Sequence, residues 1–246
     1  MINMEVCANS VTSALAAQLG GAKRVELCAS LTEGGTTPSY AEISLARNLL
    51  DIEVFPIIRP RGGDFLYADL EFELMKEDVK ICKALNCDGV VIGILTANGQ
   101  VDKIRCAELI ELAQPMEVAF HRAFDMTVDM EVALDDLISL GIVRVLTSGG
   151  RASALEGAQM ISKLIKKAGS RICIMPGAGV NEGNIATLIS LTGAKEFHAS
   201  ARKLVPSKML FRNEQLSMGA DTDEYSLSLT DSVLVKKLLE LANSAE

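Results

Sequence analysis

Two four-residue segments of this chain pair a carboxylate with a thiol at the same spacing. They are Glu5-Val6-Cys7-Ala8 and Glu26-Leu27-Cys28-Ala29, and each lies at the end of a short apolar run. Such a run is typical of a β-strand, in which side chains two residues apart point to the same face. Because burying an unpaired carboxylate is costly, the repeated pair indicates a site in which two carboxylates and two thiols share one space.

The two thiols favour a site for a soft metal ion. Cys7 and Cys28 are expected on neighbouring strands, and thiolates suit Cu(I) better than they suit hard cations. Core packing of these two side chains is the alternative. The other four cysteines fit core or helical positions, where a thiol packs as a small hydrophobe: Cys82, Cys87, Cys106 and Cys173. No Cys-x-x-Cys motif is present, which disfavours a zinc ribbon or a redox pair.

The elements that must position these groups alternate between strand and helix. Helical patterns separate eight apolar strand patterns, at about 2–8, 24–29, 53–59, 89–94, 117–122, 143–148, 171–176 and 195–200. Short apolar strands are typical of parallel sheets that are buried on both faces. Eight repeats predict an α/β fold, a closed (β/α)8 TIM barrel that spans residues 1–246 as one domain. An open doubly wound sheet is the alternative, because periodicity does not show closure.

The segment 203–231 interrupts this alternation between the eighth strand and the last helix. A connection of that length is usually functional or disordered. It contains apolar side chains that a solvated loop would not favour: Met209, Phe211, Met218 and Tyr225. We expect an ordered flap that packs on the barrel or on a partner subunit, and therefore a homo-oligomer such as a dimer. A mobile surface loop is the alternative.

In a barrel, the residues that act on ligands lie at the carboxyl ends of the strands. Those ends bring together a set suited to acid–base chemistry: Glu5, Glu26, Arg59, Arg61, His121 and His198. A glutamate could act as general base, His121 as acid or hydrogen-bond donor, and the arginines could hold negative charge. Structural roles are the alternative, since a buried histidine is often only hydrogen-bonded and the arginines could pair with Glu5 and Glu26.

Small residues after the last three strands resemble an anion cradle. Barrels frequently bind phosphate near strands seven and eight, where backbone N–H groups approach the ligand. The candidates for an anion or phosphate site are Ser148, Gly149, Gly177, Gly179, Ser200 and Arg202. Glycines that only form tight turns are the alternative. No lysine falls at the carboxyl end of a predicted strand, which disfavours a Schiff-base mechanism.

Composition limits the class of partner. Lys and Arg number 24 against 32 Asp and Glu, giving a formal net charge of −8, which argues against a nucleic acid or an anionic membrane as partner. No apolar run approaches the roughly 18 residues of a membrane span, and no secretory signal pattern is visible. Together with the dispersed cysteines, these features predict a cytoplasmic location.

The chain also contains several longer motifs. They are Arg24-Val25-Glu26-Leu27-Cys28, Ile58-Arg59-Pro60-Arg61-Gly62-Gly63, Phe120-His121-Arg122-Ala123-Phe124-Asp125 and Glu196-Phe197-His198-Ala199-Ser200-Ala201-Arg202. These motifs resemble the CutC family, the so-called copper homeostasis proteins, over nearly the whole chain. The resemblance implies a TIM barrel and a cytoplasmic protein with a role in copper handling, with Cys7 and Cys28 as the copper ligands.

The polar residues predicted at the mouth of the barrel, where the carboxyl ends of the strands meet, favour a second function, that of an enzyme. Carboxylates, guanidinium groups and imidazoles that converge on an anion cradle are typical of an enzyme. The alternative is a barrel enzyme of the lyase or isomerase type that acts on a small anionic or phosphorylated metabolite. The ligand is therefore expected to be a copper ion or a small anion.

Overall fold

Eight short parallel strands alternate with helices along the chain. The structure is a computed structural model that describes residues 1–216, 218 and 223–245. The strands are β1 (Asn3–Ala8), β2 (Arg24–Leu27), β3 (Glu53–Pro56), β4 (Gly89–Ile92), β5 (Glu117–Phe120), β6 (Arg144–Thr147), β7 (Cys173–Pro176) and β8 (Glu196–Ala199). Strand β1 pairs with β2 on one side and with β8 on the other. Because the first and last strands are neighbours, the α/β TIM-barrel prediction is confirmed and the open doubly wound sheet is wrong.

The barrel wall consists of two four-stranded sheets. Their orders are β3-β2-β1-β8 and β4-β5-β6-β7, and a bridge between Ile57 and Val91 joins the β3 side to the β4 side. Side chains of each strand alternate between the barrel interior and the helix layer. Met4 and Val6 therefore pack in the large core between strands and helices, whereas Cys7 belongs to a smaller cluster inside the barrel.

Eight helices surround the strands in the part of the chain that the structure describes. They are α1 (Val11–Leu19), α2 (Tyr40–Leu49), α3 (Asp69–Ala84), α4 (Lys103–Ala113), α5 (Met130–Ser139), α6 (Ala158–Ala168), α7 (Ile185–Thr192) and α8 (Ser232–Ser244). Polar side chains fix several helix starts: Ser39 and Glu42 form a capping box at α2, and Asp231 caps α8. Within the described ranges, none of these helices is long and apolar enough to cross a membrane.

The predicted flap at 203–231 contains an antiparallel hairpin. Strand β9 (Arg202–Pro206) pairs with β10 (Ser226–Thr230), and the Thr230 N–H donates to Ser13 Oγ of α1 at 3.2 Å. The sequence pattern predicted no strand here, because β9 is exposed along its whole length and lacks a buried pattern. Residues 217 and 219–222 of the predicted flap lie outside the described residues. Its contact with a partner subunit stays a prediction.

Candidate functional site

His198 of β8 is held between two carboxylates. Its Nδ1 lies 2.7 Å from Glu5 Oε1, and its Nε2 lies 3.7 Å from Glu26 Oε2. Burial opposes a charge on the ring. The hydrogen bonds with Cys7 and Glu5 and the charges of the two glutamates outweigh burial, so the pKa of His198 is raised well above its ordinary value. The ring is thereby fixed with one nitrogen on Glu5 and the other facing Glu26.

Two thiols lie beside this imidazole. Cys7 Sγ lies 3.6 Å from Cys28 Sγ, and both side chains are buried. The hydrogen bond with Cys28 and burial raise the pKa of Cys7 well above its ordinary value. One ligand atom each from Cys7, Glu26 and His198 lie within 4.8 Å of one another. Cys7 therefore belongs both to a pair of thiols and to a group of three residues whose ligand atoms are close enough together to bind one metal ion.

Arg24 anchors Glu5 from the other side. This guanidinium, at the start of β2, donates from Nε to Glu5, from Nη1 to Glu53 at 3.2 Å and from Nη2 to Glu196 at 2.9 Å. Burial alone would raise the pKa of Glu5, but the charge of Arg24 and the contact with His198 lower it to about 2. Arg24 was not among the predicted site residues, although a charged residue at the first position of a buried strand is a signal that could have pointed to it.

The Glu26 carboxylate has a different electrostatic environment from Glu5. Burial is the largest influence on it, and the nearby charge of His198 compensates only in part, so the pKa of Glu26 is raised. Two carboxylates at neighbouring positions thus have pKa values displaced in opposite directions. Such a separation is a feature of sites that need an acid and a base, although ion-pair networks produce it as well.

Arg59 and Arg61 are not partners of Glu5. Arg61 pairs with Glu71 and with Asp64 outside the cavity at the barrel mouth. Arg59 is buried and donates at 2.6 to 2.8 Å to three backbone carbonyl oxygens, those of Glu33, Gly35 and Gly63. The alternative in which both arginines pair with Glu5 and Glu26 is wrong, because Arg24 takes that place for Glu5 and Arg61 pairs with Glu71 and Asp64.

His121, which follows β5, is buried against Phe65, with 5.0 Å between the ring centroids. The Ala123 N–H donates to His121 Nδ1 at 3.1 Å, so the neutral ring carries its hydrogen on Nε2. Burial and the charge of Arg59 lower the pKa of His121 to about 3. The ring is therefore a neutral N–H donor at physiological pH.

One cavity of about 430 Å³ at the barrel mouth brings many of these groups together. Its polar lining includes Cys7, Glu26, Arg59, His121 and His198, with Ile57, Phe65 and Leu146 among the apolar residues. A cavity of this size and composition is typical of a small-molecule site. Of the other site residues that the sequence predicted, Gly179, Ser200 and Arg202 line it.

A carboxylate of the protein occupies the loop that the sequence predicted to bind an anion. Asp125 accepts hydrogen bonds from the Ser148 and Gly150 N–H groups at 3.0 Å and from the Thr147 hydroxyl at 2.6 Å. The Gly149 N–H donates to Thr147 Oγ1 at 2.9 Å. The N–H groups of Ser148 and Gly149 are thus engaged by Asp125 and by the Thr147 hydroxyl, respectively. Their phosphate role stays a prediction that requires both contacts to be broken.

Gly177 has a packing role beside the site. A Cβ at this position would lie 2.4 Å from Leu146 Cδ1 and 3.2 Å from His198 Cβ. The absence of a side chain therefore makes room for the Leu146 side chain and, less tightly, for His198. The geometry supports this role, whereas an anion-binding role for Gly177 stays a prediction.

The fold and the site define a class: a (β/α)8-barrel protein whose mouth carries a buried group of thiols, imidazole and carboxylate. The CutC family model matches residues 2–203 of the chain. The chain belongs to the CutC family.

Relatives agree over almost the full length. A family protein CutC from Chromobacterium violaceum is 52% identical over 98% of both chains. The human copper homeostasis protein cutC homolog is 48% identical over 98% of this chain and 89% of its own. The crystal structure of CutC from Streptococcus agalactiae has a TM-score of 0.78 at 38% identity, covering 81% of this chain and 99% of that one.

Proposed function

We propose that this protein binds Cu(I) at the barrel mouth as a copper homeostasis protein, with Cys7 and Cys28 as thiolate ligands and His198 as a third donor. The observation that carries the proposal is the position of Cys7, 3.6 Å from the Cys28 sulfur and within 4.8 Å of the His198 donor atom. Thiolate and imidazole donors suit Cu(I). The names of the human and mouse relatives, both copper homeostasis protein cutC homologs, support a copper-related role.

Glu5 is a positioning residue in this proposal. A metal-binding histidine almost always donates its second ring N–H to a carboxylate or another acceptor, which fixes the ring. Glu5 Oε1 lies 2.7 Å from His198 Nδ1, and Arg24 in turn holds Glu5. This arrangement leaves Nε2 of His198 free of Glu5 and 3.7 Å from Glu26 Oε2, where it can bind a metal ion.

The experiment is an anaerobic titration of Cu(I) against a chromogenic Cu(I) chelator, on the wild type and on Cys7→Ser, Cys28→Ser and the double variant. Cys173→Ser is the matched control, because Cys173 begins β7 among the charges of Arg144 and Glu196. We expect stoichiometric binding by the wild type and by the control, and its loss in the double variant. Unchanged binding in the double variant would overturn the proposal.

Glu26→Gln distinguishes Cu(I) from a harder ion. If the thiol pair and His198 bind the metal, this variant retains Cu(I), whereas Cys28→Ser loses it. The reverse result would assign the ligands to Cys7, Glu26 and His198. One donor each of sulfur, oxygen and nitrogen suits Zn(II), which accepts all three ligand types. That outcome would contradict the copper assignment.

The proposal includes a reducing, cytoplasmic setting. All six cysteines are free, which is typical of proteins in compartments where thiols stay reduced. Mass spectrometry after trapping of thiols in intact cells tests this part. Six alkylated thiols are expected, and a disulfide involving Cys7 or Cys28 would contradict it.

The proposal also includes a homo-oligomer formed through the hairpin segment. Apolar side chains are exposed there, among them Leu204, Leu210 and Phe211, and apolar exposure of this kind often marks an interface. Light scattering on the wild type and on Phe211→Ser tests it. A dimer that the variant weakens is expected, and a monomeric wild type at micromolar concentration would contradict it.

A second candidate function, an acid–base enzyme, is favoured by one observation. Glu26, whose pKa is raised, and His121, a neutral donor, line the same cavity. Glu26 would remove a proton beside a carbonyl group while His121 donates to the carbonyl oxygen. Proton exchange of small oxo acids in heavy water, followed by NMR, tests it. Exchange by the wild type but not by Glu26→Gln is expected, and exchange at the buffer rate would contradict it.

A further inference from the structure

Two buried N–H groups at the cavity have no hydrogen-bond partner among the described residues. They are Nε–H of Arg59 and Nε2–H of His121. The two residues are 5% and 4% exposed, respectively. Buried polar groups are nearly always paired in native proteins, so each exception needs an explanation. The Tyr67 hydroxyl is also buried without a hydrogen-bond partner and interacts with Arg59, but it does not line the cavity. The two N–H groups of residues that do line the cavity point to a ligand.

The two donors lie against the same aromatic ring. Arg59 Cζ lies 5.1 Å from the centroid of the Phe65 ring, and the His121 centroid lies 5.0 Å from it. All three residues line the 430 Å³ cavity. The charge of Arg59 also contributes to the lowered pKa of His121. Both donor residues therefore adjoin the Phe65 side chain at the cavity.

The local structure fixes the His121 donor. Its Nδ1 accepts from the Ala123 N–H, which leaves the hydrogen on Nε2. Gly93 makes room for the ring, since a Cβ there would lie 2.1 Å from His121 Cε1. The imidazole is thus held in one position and one tautomer, with an N–H for an acceptor.

The Arg59 donor carries a positive charge without a carboxylate partner. Its Nη atoms donate to backbone carbonyl oxygens, which do not neutralise the guanidinium. Among the described residues, no ion pair of Arg59 is found, whereas Arg61 pairs with Glu71. A group that brings both a negative charge and hydrogen-bond acceptors would complete this environment.

We propose that a small organic carboxylate binds in the mouth cavity and accepts hydrogen bonds from Arg59 Nε–H and His121 Nε2–H. The carboxylate supplies the charge and the acceptors, and Ile57, Phe65 and Leu146 receive an apolar body. Both donor atoms are covered in this structure. The proposal therefore requires Phe65, which contacts both residues and is only partly buried, to turn aside when the ligand enters. The site does not require copper at Cys7.

Nuclear magnetic resonance of isotope-labelled histidine tests the proposal with benzoate as the probe. The chain has only two histidines, so His198 serves as an internal reference. At neutral pH, we expect benzoate to shift the His121 Nε2–H signal saturably, and uncharged benzamide to have a much smaller effect. A shift with inorganic phosphate and none with benzoate would overturn the carboxylate assignment, as would a His121 ring protonated on Nδ1.

Two substitutions of His121 separate the donor from the acceptor. His121→Asn keeps an acceptor near the Nδ1 position for Ala123 but removes the donor, whereas His121→Gln keeps an N–H near the Nε2 position and removes the acceptor. We expect benzoate affinity to fall at least about tenfold in His121→Asn, as for a lost hydrogen bond to a charged group, and to be largely kept in His121→Gln. Equal affinities in the two variants would contradict the proposal.

Arg59→Lys gives an independent result if either His121 variant does not fold. The lysine retains the charge without an N–H at the Nε position, so weaker benzoate binding is expected with benzamide unaffected. Benzoate binding as tight as in the wild type would contradict the proposed contact. Cu(I) titration of the same variants keeps the two sites distinguishable, because the copper proposal depends on Cys7 and Cys28.

Discussion

The two ends of the barrel differ in how their buried charges are paired. We call the end where Arg24, Arg144 and Glu196 begin their strands the floor, and the opposite end, where the strands finish, is the mouth. At the floor, Arg24 and Arg144 share Glu196 at 2.9 and 2.7 Å, and Arg24 also holds Glu5 and Glu53. At the mouth, the described structure shows a buried guanidinium with only carbonyl partners, a histidine N–H without a partner, and two thiols. Arg144 Nη1 at the floor also lacks a hydrogen-bond partner, but it lies 3.6 Å from Glu117 Oε2. The floor guanidinium groups are thus balanced by carboxylates, whereas in the described structure the Arg59 charge at the mouth is not, and it is this unbalanced charge that points to a ligand.

His198 and Glu5 connect the two regions. Glu5 accepts from Arg24 on the floor side and from His198 on the mouth side. A change at the floor can therefore act on the mouth through the position of one imidazole. The following predictions test, in turn, the floor network, His121 at the mouth, and the connection between the two through Glu5 and His198.

The largest expected effect follows from removing the centre of the floor network. Arg24→Met leaves the Glu5 and Glu196 carboxylates buried without their main shared partner, so we expect a loss of about 3 to 5 kcal/mol in the free energy of unfolding. Chemical denaturation at neutral pH measures it. Lys23→Met is the matched control, because Lys23 forms an exposed ion pair with Glu53 that is worth about 1 kcal/mol or less. Equal effects would contradict the structural role of the floor.

The pH dependence of stability gives the next effect. The pKa of His121 is about 3 in the folded state, against an ordinary value of 6.5 for the unfolded chain. Below pH 6.5 the unfolded chain therefore binds a proton that the folded chain does not bind. The contribution of His121 is fully present above pH 6.5 and is lost as the pH falls towards 3, amounting to about 3 kcal/mol by about pH 4.

Denaturation curves of the wild type and of His121→Asn, measured across this pH range, check the prediction. The stability of the wild type should fall more steeply than that of the variant, since all other titrating groups are shared. Arg59 is the charged group that acts on this ring. Parallel pH profiles would show that His121 is protonated normally in the folded protein and would weaken the distinction between mouth and floor.

A smaller effect is expected from the residue that connects the regions. Glu5→Gln removes the charged acceptor of His198 Nδ1, and Cu(I) affinity should fall by about tenfold to a hundredfold. Glu53→Gln is the matched control, because Glu53 is also a partner of Arg24 but does not contact His198 in the described structure. Equal losses in the two variants would assign the effect to the floor network as a whole.

The fold could be predicted from the sequence because the alternation of an apolar strand pattern with a helical pattern is repeated eight times. Each apolar strand and each helix is local in the chain, and their alternation predicts the barrel. The hairpin β9–β10 could not be predicted, since β9 is exposed along its whole length, β10 is only partly buried, and neither has the continuous apolar pattern of the barrel strands.

The candidate site could be predicted only in part, because its contacts join residues that are far apart in the chain. The sequence shows that Cys7, Cys28 and His198 lie at the ends of predicted strands. The distances between their side chains, however, depend on how the barrel closes. Arg24 was missed because its partners, Glu5, Glu53 and Glu196, come from three other strands. The Asp125 carboxylate reaches a loop more than 20 residues further along the chain, a contact that no local pattern contains.

X-ray absorption spectroscopy of the Cu(I)-loaded protein is the decisive measurement for the mouth site, made on the wild type and on its Cys7→Ser/Cys28→Ser variant. We expect sulfur neighbours together with one imidazole in the wild type, from the mouth thiols and His198, and loss of the sulfur neighbours in the double variant. A copper environment of nitrogen and oxygen alone, or one that the double substitution leaves unchanged, would contradict the assignment of the mouth as a thiolate copper site.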